Sequence, residues 1–469
     1  MTGKVPKRVR SFSDAKLSNG EEETGSLSDG PSSPKRRNLS IRKPVPVLKL
    51  NNATHSFVRN TIHERLPTIL DEIVSRNLGI WKEKGQACSV IIRMRLEELR
   101  KEISGKHHGG DVLIKKLDDL EDNHGWNSEH LVGVAGEIKL KEASTFFVEN
   151  YFYRRVLDAV QYWESRVDPF AGQKRDMLKV ARESFGKTIK TLVSRGEQSS
   201  PGVLAYEQFR AVLQFQLWGN RSDLSLSGGK VESEERGRAS VALLADDTER
   251  VWVDLQPGKG EEVPSDQHKV SSGKGEKVVI VLDNCGLEIL SDLICADMLL
   301  SYNIVSTVEL HCKSTPVFVS DVMVDDFEYT VKWLEAIEEF APFAKTIRKH
   351  MKDGRLKTVA NDFYTSPSPY SSIPRSLLSI FQEAKLVIIK GDANYRRLLG
   401  EKQWHIGTSF EQVMDYFSDV NVLALRTLKW PLAVGIDKAG VEKAESIVGD
   451  GWDVNGRCGT IQYANKTSV

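Results

Sequence analysis

Cysteine is scarce: five residues in a chain of 469. Cys88, Cys285, Cys295, Cys312 and Cys458 are scattered, odd in number and never spaced as CxxC. That argues against a disulfide framework and against a zinc site, and a reducing, cytoplasmic compartment fits. An excess of either charge is also missing. Lys+Arg and Asp+Glu both number 65, for a formal net charge of +0. Nothing in that balance draws the chain to nucleic acid or to a membrane, and neither partner is expected. No apolar run is long enough to span a bilayer. The basic residues near the start are not followed by the apolar segment of a secretory signal. A P-loop is absent too. Gly186-Lys187-Thr188 would need a glycine at 181, where Ala181 stands, and no strand pattern precedes it.

What is present falls into four regions, with 40% hydrophobic residues, an ordinary share for a globular protein. Residues 1–52 are rich in Ser, Lys, Arg, Gly and Pro and read as a disordered basic tail. SSPKRR at 32–37 is a candidate phosphorylation or nuclear-import signal, so a nuclear location is a second expectation. Residues 53–220 carry apolar residues at helical spacing. Ile62, Leu66, Ile69, Leu70, Ile73 and Val74 form one stripe, with Gly79 just past its end. Similar spacing returns at 90–99, 113–120, 144–163 and 177–193. The reading is an all-helical N-terminal domain whose aromatics fill its core. LWGNRSDLSL at 217–226 reads as a loop that folds back on that core. Residues 221–276 read as an insertion or linker, with room for a strand or two in VALLADDTERVWVDL. From 277 to 465 strand and helix patterns alternate. Candidate strands are 277–282, 304–312, 316–320, 385–390 and 421–426, with helices at 286–300, 325–341 and 373–383. This predicts an α/β fold: a three-layer α/β domain with a largely parallel sheet, plus the N-terminal all-helical domain.

The stretch KVVIVLDNCGLEILSDLICAD at 277–297 is the functional centre of this reading. A β-branched apolar run ends at Asp283-Asn284, Gly286 turns the chain, and a helix pattern follows. Polar residues at the carboxyl end of such a strand stand where open parallel sheets bind ligands. Three further stations follow apolar runs: Asp321 after VFVS; Lys390, Asp392, Asn394, Tyr395 and Arg396 after 386–389; Arg426, Thr427 and Lys429 in VLALRTLKW. Asp283, Asn284 and Asp321 each offer a side-chain oxygen, which suits a hard divalent cation. Lys429 and Arg396 offer positive charge to a phosphate. Metal plus fixed cations is the combination phosphoryl transfer uses.

LDNCGLEILSDL, VFVSD, KGDANYRRLLG and LRTLK resemble, in order and spacing, the damage-control phosphatase family. The nearest subfamily is the sugar-phosphate phosphatases, also called the acidic-residue methyltransferase family. Its Arg-Thr-x-Lys hallmark corresponds to Arg426, Thr427, Leu428 and Lys429. SFVRNTIHERLPTIL, FFVENYFYRRV and LWGNRSDLSL look like the same family's helical domain. The resemblance covers roughly 55–465. It implies a divalent metal (Mn²⁺, Co²⁺, Ni²⁺ or Mg²⁺) held by Asp283, Asn284 and Asp321. It implies substrate contacts from those three residues and from Glu288, Asp392, Ala393, Asn394, Tyr395, Arg396 and Lys429. The implied reaction is hydrolysis of a small-molecule sugar phosphate such as fructose 1-phosphate or fructose 6-phosphate. Asp283, Asp392 and Lys429 would be catalytic, with either aspartate steering the attacking water. Direct water attack is preferred to an aspartyl phosphate, because the residue two beyond Asp283 is Cys285 and not an acid. The alternative is an S-adenosylmethionine-dependent protein carboxyl (glutamate) O-methyltransferase, with Glu288 and Asp321 at the cofactor. No glycine-rich turn follows a strand to cradle that cofactor. A non-catalytic metabolite sensor is a further rival.

Overall fold

The computed structural model describes residues 44–53, 55–83, 86–104, 112–115, 117, 126, 138–197, 206–219, 241–256 and 276–466. The basic tail with SSPKRR, most of the 221–276 insertion, most of 113–120 and residues 220–226 of the loop expected at 217–226 lie outside them, while residues 217 and 218 of that loop end a helix. Val45–Val469 form one compact unit. The described residues begin ahead of the first apolar stripe. Leu48 N–H donates to the Glu401 carbonyl (2.8 Å) and Leu50 is 5% exposed, so residues just before 53 pack onto the protein instead of trailing off.

A short helix, Ser56–Asn60, runs into a π-turn, Thr61–Arg65, and then into α1 (Leu66–Glu83). Of the expected stripe, Ile62 in the π-turn and Leu66, Ile69, Leu70 and Ile73 on α1 are buried, and Val74 is half-buried. The helix continues through Gly79 because Trp81, two residues on and one turn beyond buried Asn77, is also buried. Helices α2 (Gln86–Ile103) and α3 (Thr145–Ala159) complete a core of Ile69, Ile73, Leu96, Phe152 and Leu157. The next two helices, α4 (Ala171–Glu197) and α5 (Tyr206–Trp218), leave that core. Their Leu178, Phe185, Phe209 and Leu213 pack on the sheet layer instead.

Seven strands form one sheet in the order β1-β7-β6-β5-β2-β3-β4. They are β1 (Ala242–Asp246), β2 (Lys277–Val281), β3 (Thr307–Lys313), β4 (Leu356–Asn361), β5 (Leu386–Lys390), β6 (Val422–Thr427) and β7 (Cys458–Ala464). All neighbours are parallel except β6 and β7. Alternation of side chains divides the strands between two cores. Val278 and Ile280 face one layer with Leu310 and Ile388; Val279 and Val281 face the other with Val387 and Ala424. Helices on both faces make the three layers: α6 (Thr248–Leu255), α7 (Leu287–Ser301), α8 (Val324–Glu335) and α9 (Ala341–Lys352) on the first, α10 (Arg375–Glu383) and α11 (Asp392–Leu399) on the second. Helix α12 (Lys438–Val448) packs beside β1. No helix among the described residues is long and apolar enough to cross a membrane.

Two expectations shift. The run at 316–320 is a turn, since Phe318 and Val319 take φ of 48° and 68°, in the left-handed region where no ladder continues. Strands β4 and β7 escaped the apolar reading. LKTVAN is an edge strand with exposed Lys357 and Ala360, so only part of it needs to be apolar. CGTIQYA buries Thr460 and Gln462 as well as its apolar residues, which hides the alternation.

Candidate active site

Strand β2 sits fifth in the sheet, and its run ends at Asp283-Asn284. Two backbone bonds tie the segment after β3 to this corner. Cys285 N–H donates to the Ser320 carbonyl (2.7 Å), and Val322 N–H donates to the Asp283 carbonyl (2.9 Å). Asp321 is thereby paired across from Asn284. Gly286, at φ 78°, turns the chain into α7, whose first turn carries Glu288.

Asp283, Asn284, Glu288 and Asp321 therefore converge, although they derive from different elements. Asn284 Nδ2 donates to Asp283 Oδ2 (2.6 Å) and to Glu288 Oε1 (3.1 Å), while Ser320 Oγ donates to Asn284 Oδ1. The three carboxylates are each under 8% exposed, and their charges are poorly offset. Burial, then repulsion from Glu288 and Asp321, pushes the Asp283 carboxyl well above its ordinary range against the pull of Lys313 and Lys429. Asp321 is also raised, by burial, although Lys313 Nζ stands 3.0 Å away.

From β5, Lys390 turns into the protein, with Nζ 2.7 Å from Asp292 and 3.1 Å from the Gln216 carbonyl. Gly391 follows at φ 86°, and any Cβ there would overlap the Asp283 carboxylate. Asp392 opens α11, and its Oδ1 accepts from Arg426 Nε (2.7 Å) and from Lys429 N–H (3.1 Å). Arg426 also donates to the carbonyls of Trp430 and Leu432, so it shapes the loop after β6 from beneath. That loop delivers Lys429 to the pocket.

The pocket holds about 190 Å³ at the carboxyl edge of the sheet. Asp283, Asn284, Glu288, Asp321, Asp392, Ala393, Arg396, Thr427 and Lys429 line it. Asn394, Tyr395, Arg426 and Leu428 do not. Asn394 bonds back to the Lys390 carbonyl, Tyr395 donates to Gln462 Oε1, and Leu428 is fully buried. Arg396 reaches the wall but is held by Glu401 and Glu149 and lies 3.7 Å over the Trp430 ring. The helical half supplies a roof of Phe57, Arg65, Glu149 and Tyr153. These roof residues were not singled out from sequence, although SFVRNTIHERLPTIL and FFVENYFYRRV contain all four. Nothing in helical periodicity says which member of such a segment will meet a sheet edge two hundred residues later. Among the described residues, no three His, Cys, Asp or Glu side chains converge as they would on an ion. Asp283 and Asp321 supply two carboxylates beside the Asn284 amide.

The damage-control phosphatase ARMT1-like domain matches residues 61–444. The chain belongs to this family. A damage-control phosphatase ARMT1 from Danio rerio is 30% identical, over 87% of this chain and 95% of its own. The Mus musculus protein of the same name is 29% identical over 87% and 96%. A DUF89 family protein from Pyrococcus horikoshii, known as a crystal structure, overlays with a TM-score of 0.39 at 13% identity, covering 84% of this chain and 96% of that one. Membership in the ARMT1-like family places the chain among phosphatases, hydrolases of phosphate esters, and does not favour the methyltransferase alternative.

Proposed function

We propose that the chain hydrolyses sugar phosphomonoesters, fructose 1-phosphate and fructose 6-phosphate among them, with a divalent cation. The observation that carries the reading is the meeting of Asp283, Asn284, Asp321 and Lys429 in one pocket. The donor set suits a hard cation. It consists of oxygens, its carboxylates repel one another, and a half-turn of the Asn284 amide would put Oδ1 where its N–H₂ now faces Asp283 and Glu288. The Ser320 hydroxyl could accept from the turned amide. Bound there, Mn²⁺, Co²⁺, Ni²⁺ or Mg²⁺ would neutralise phosphoryl oxygens and acidify a water.

The chain's own residues do the rest. Lys429 meets the charge on the phosphoryl oxygens. Asp392 holds the Lys429 backbone and Arg426, which makes it a positioning residue. Asp283 takes the proton of the attacking water as the new O–P bond forms and the ester O–P bond breaks, and the sugar oxygen leaves as the hydroxyl by taking a proton from solvent water. Cys285 offers no acid for an aspartyl-phosphate route, since its thiol is buried and its pKa is pushed well up. Trp430 and Phe57, edge to face at 6.1 Å, give the sugar an apolar wall.

Phosphate release by metal-stripped protein tests this, with a sugar-phosphate panel and each cation added back in turn. Asp283→Ala should lower kcat by at least about a hundredfold while circular dichroism stays that of the wild type. Full activity in the folded variant would remove this pocket from the reaction. Saturable S-adenosylmethionine binding that disappears in Glu288→Ala, with no phosphate release, would instead support the methyltransferase.

A further inference from the structure

Four cationic side chains line the pocket: Arg65, Lys390, Arg396 and Lys429. Two are already committed. Lys390 is 1% exposed and bonded to Asp292 and the Gln216 carbonyl. Arg396 is 3% exposed, forked onto Glu401 at 2.9 and 3.0 Å and paired with Glu149. A guanidinium so engaged neutralises carboxylates of the protein and has little left for a ligand. Lys429 and Arg65 remain, and among the described residues neither makes an ion pair.

Arg65 comes from the helical half, two hundred residues before Asp283. It closes the π-turn Thr61–Arg65, where Leu66 N–H reaches back to the Thr61 carbonyl. Such wide turns are uncommon and recur at functional sites. The side chain is exposed and lines both the pocket and an adjoining outer groove of about 560 Å³, so it stands at the mouth. Its charge is felt inside, where it draws down the Glu149 carboxyl and the Tyr153 phenol against their burial.

We infer that Arg65 is a substrate-binding residue that grips the phosphoryl oxygens from the helical side, as Lys429 does from the sheet edge. The inference rests on the phosphatase reading above. Its planar fork matches two phosphate oxygens at once, which a lysine ammonium does not.

Steady-state kinetics on the best sugar phosphate would compare wild type, Arg65→Ala, Arg65→Lys and Arg59→Ala, an exposed arginine outside the pocket lining. Arg65→Ala should raise KM and the inhibition constant of inorganic phosphate together, by about ten- to a hundredfold. Arg65→Lys should fall between, and Arg59→Ala should match the wild type. Wild-type KM and phosphate inhibition in Arg65→Ala, with hydrolysis intact, overturn the inference and leave the phosphatase reading standing. If the wild type turns over no ester with any cation, the phosphatase reading fails separately. Calorimetric titration with inorganic phosphate then decides on Arg65: binding weakened in Arg65→Ala supports it, and equal or absent binding overturns it.

Discussion

Gly391 shows how a single backbone position holds the pocket's geometry. Its φ of 86° is open to glycine and strained for any other residue. The missing side chain leaves the space that the Asp283 carboxylate fills. Gly391→Ala therefore meets two penalties: strain of about 1–3 kcal/mol, and displacement of Asp283. The expected result is a lower melting temperature and a kcat reduced by about a hundredfold, with α/β circular dichroism retained. Unchanged kcat would mean that the Asp283 position does not govern the reaction. At this scale much of the lining of the candidate pocket was legible. Asp283, Asn284, Glu288, Asp321, Asp392 and Lys429 do line one pocket. Asn394 and Tyr395 turn away because residues two and three beyond Asp392 on α11 rotate off the face that meets the pocket. Strand-end position alone could not reveal that.

Between elements, buried ion pairs join the helical half to the sheet layer. Lys174 of α4 is 2% exposed and bridges Asp168 (2.9 Å) to Asp326 (2.6 Å) in the first turn of α8. Burial pulls its pKa down, and the two carboxylates outweigh that pull, so the folded value is raised. A raised lysine gives stability that is fully present below its unfolded pKa and is lost as pH rises through the folded one. Lys174→Met should cost about 3–5 kcal/mol near neutrality, because two largely buried carboxylates lose their fully buried partner. The gap between wild type and variant should begin to close above about pH 10.4. Urea unfolding at neutral and alkaline pH measures both. A gap that widens in alkali would contradict the assigned pairing.

For the whole molecule, the question is whether the sheet stands alone. Helix α7 buries Leu287 through Ala296 without a break and then Met298, Leu299 and Leu300. A helix buried on nearly all sides must be covered on all of them. The sheet covers one side, and α4 and α5 cover another with Phe185, Phe209 and Leu213. A fragment of residues 241–469 would expose that face and should lack a cooperative urea transition and near-ultraviolet dichroism. A sharp transition in the fragment would show that the α/β part is separable after all.

The chain order alone determined the strand–turn–helix units and the polar stations after their strands, because periodicity and glycine act within a few residues. Composition determined the absence of a disulfide pattern and of a bilayer-length apolar run. Tertiary structure decided the strand order, including β7 inserted parallel to β1 and antiparallel to β6. It also decided which helices cap the sheet and that Arg65, Glu149 and Tyr153 line the pocket from the helical half. These outcomes depend on contacts between residues far apart in the chain, whose packing and electrostatics no local pattern records.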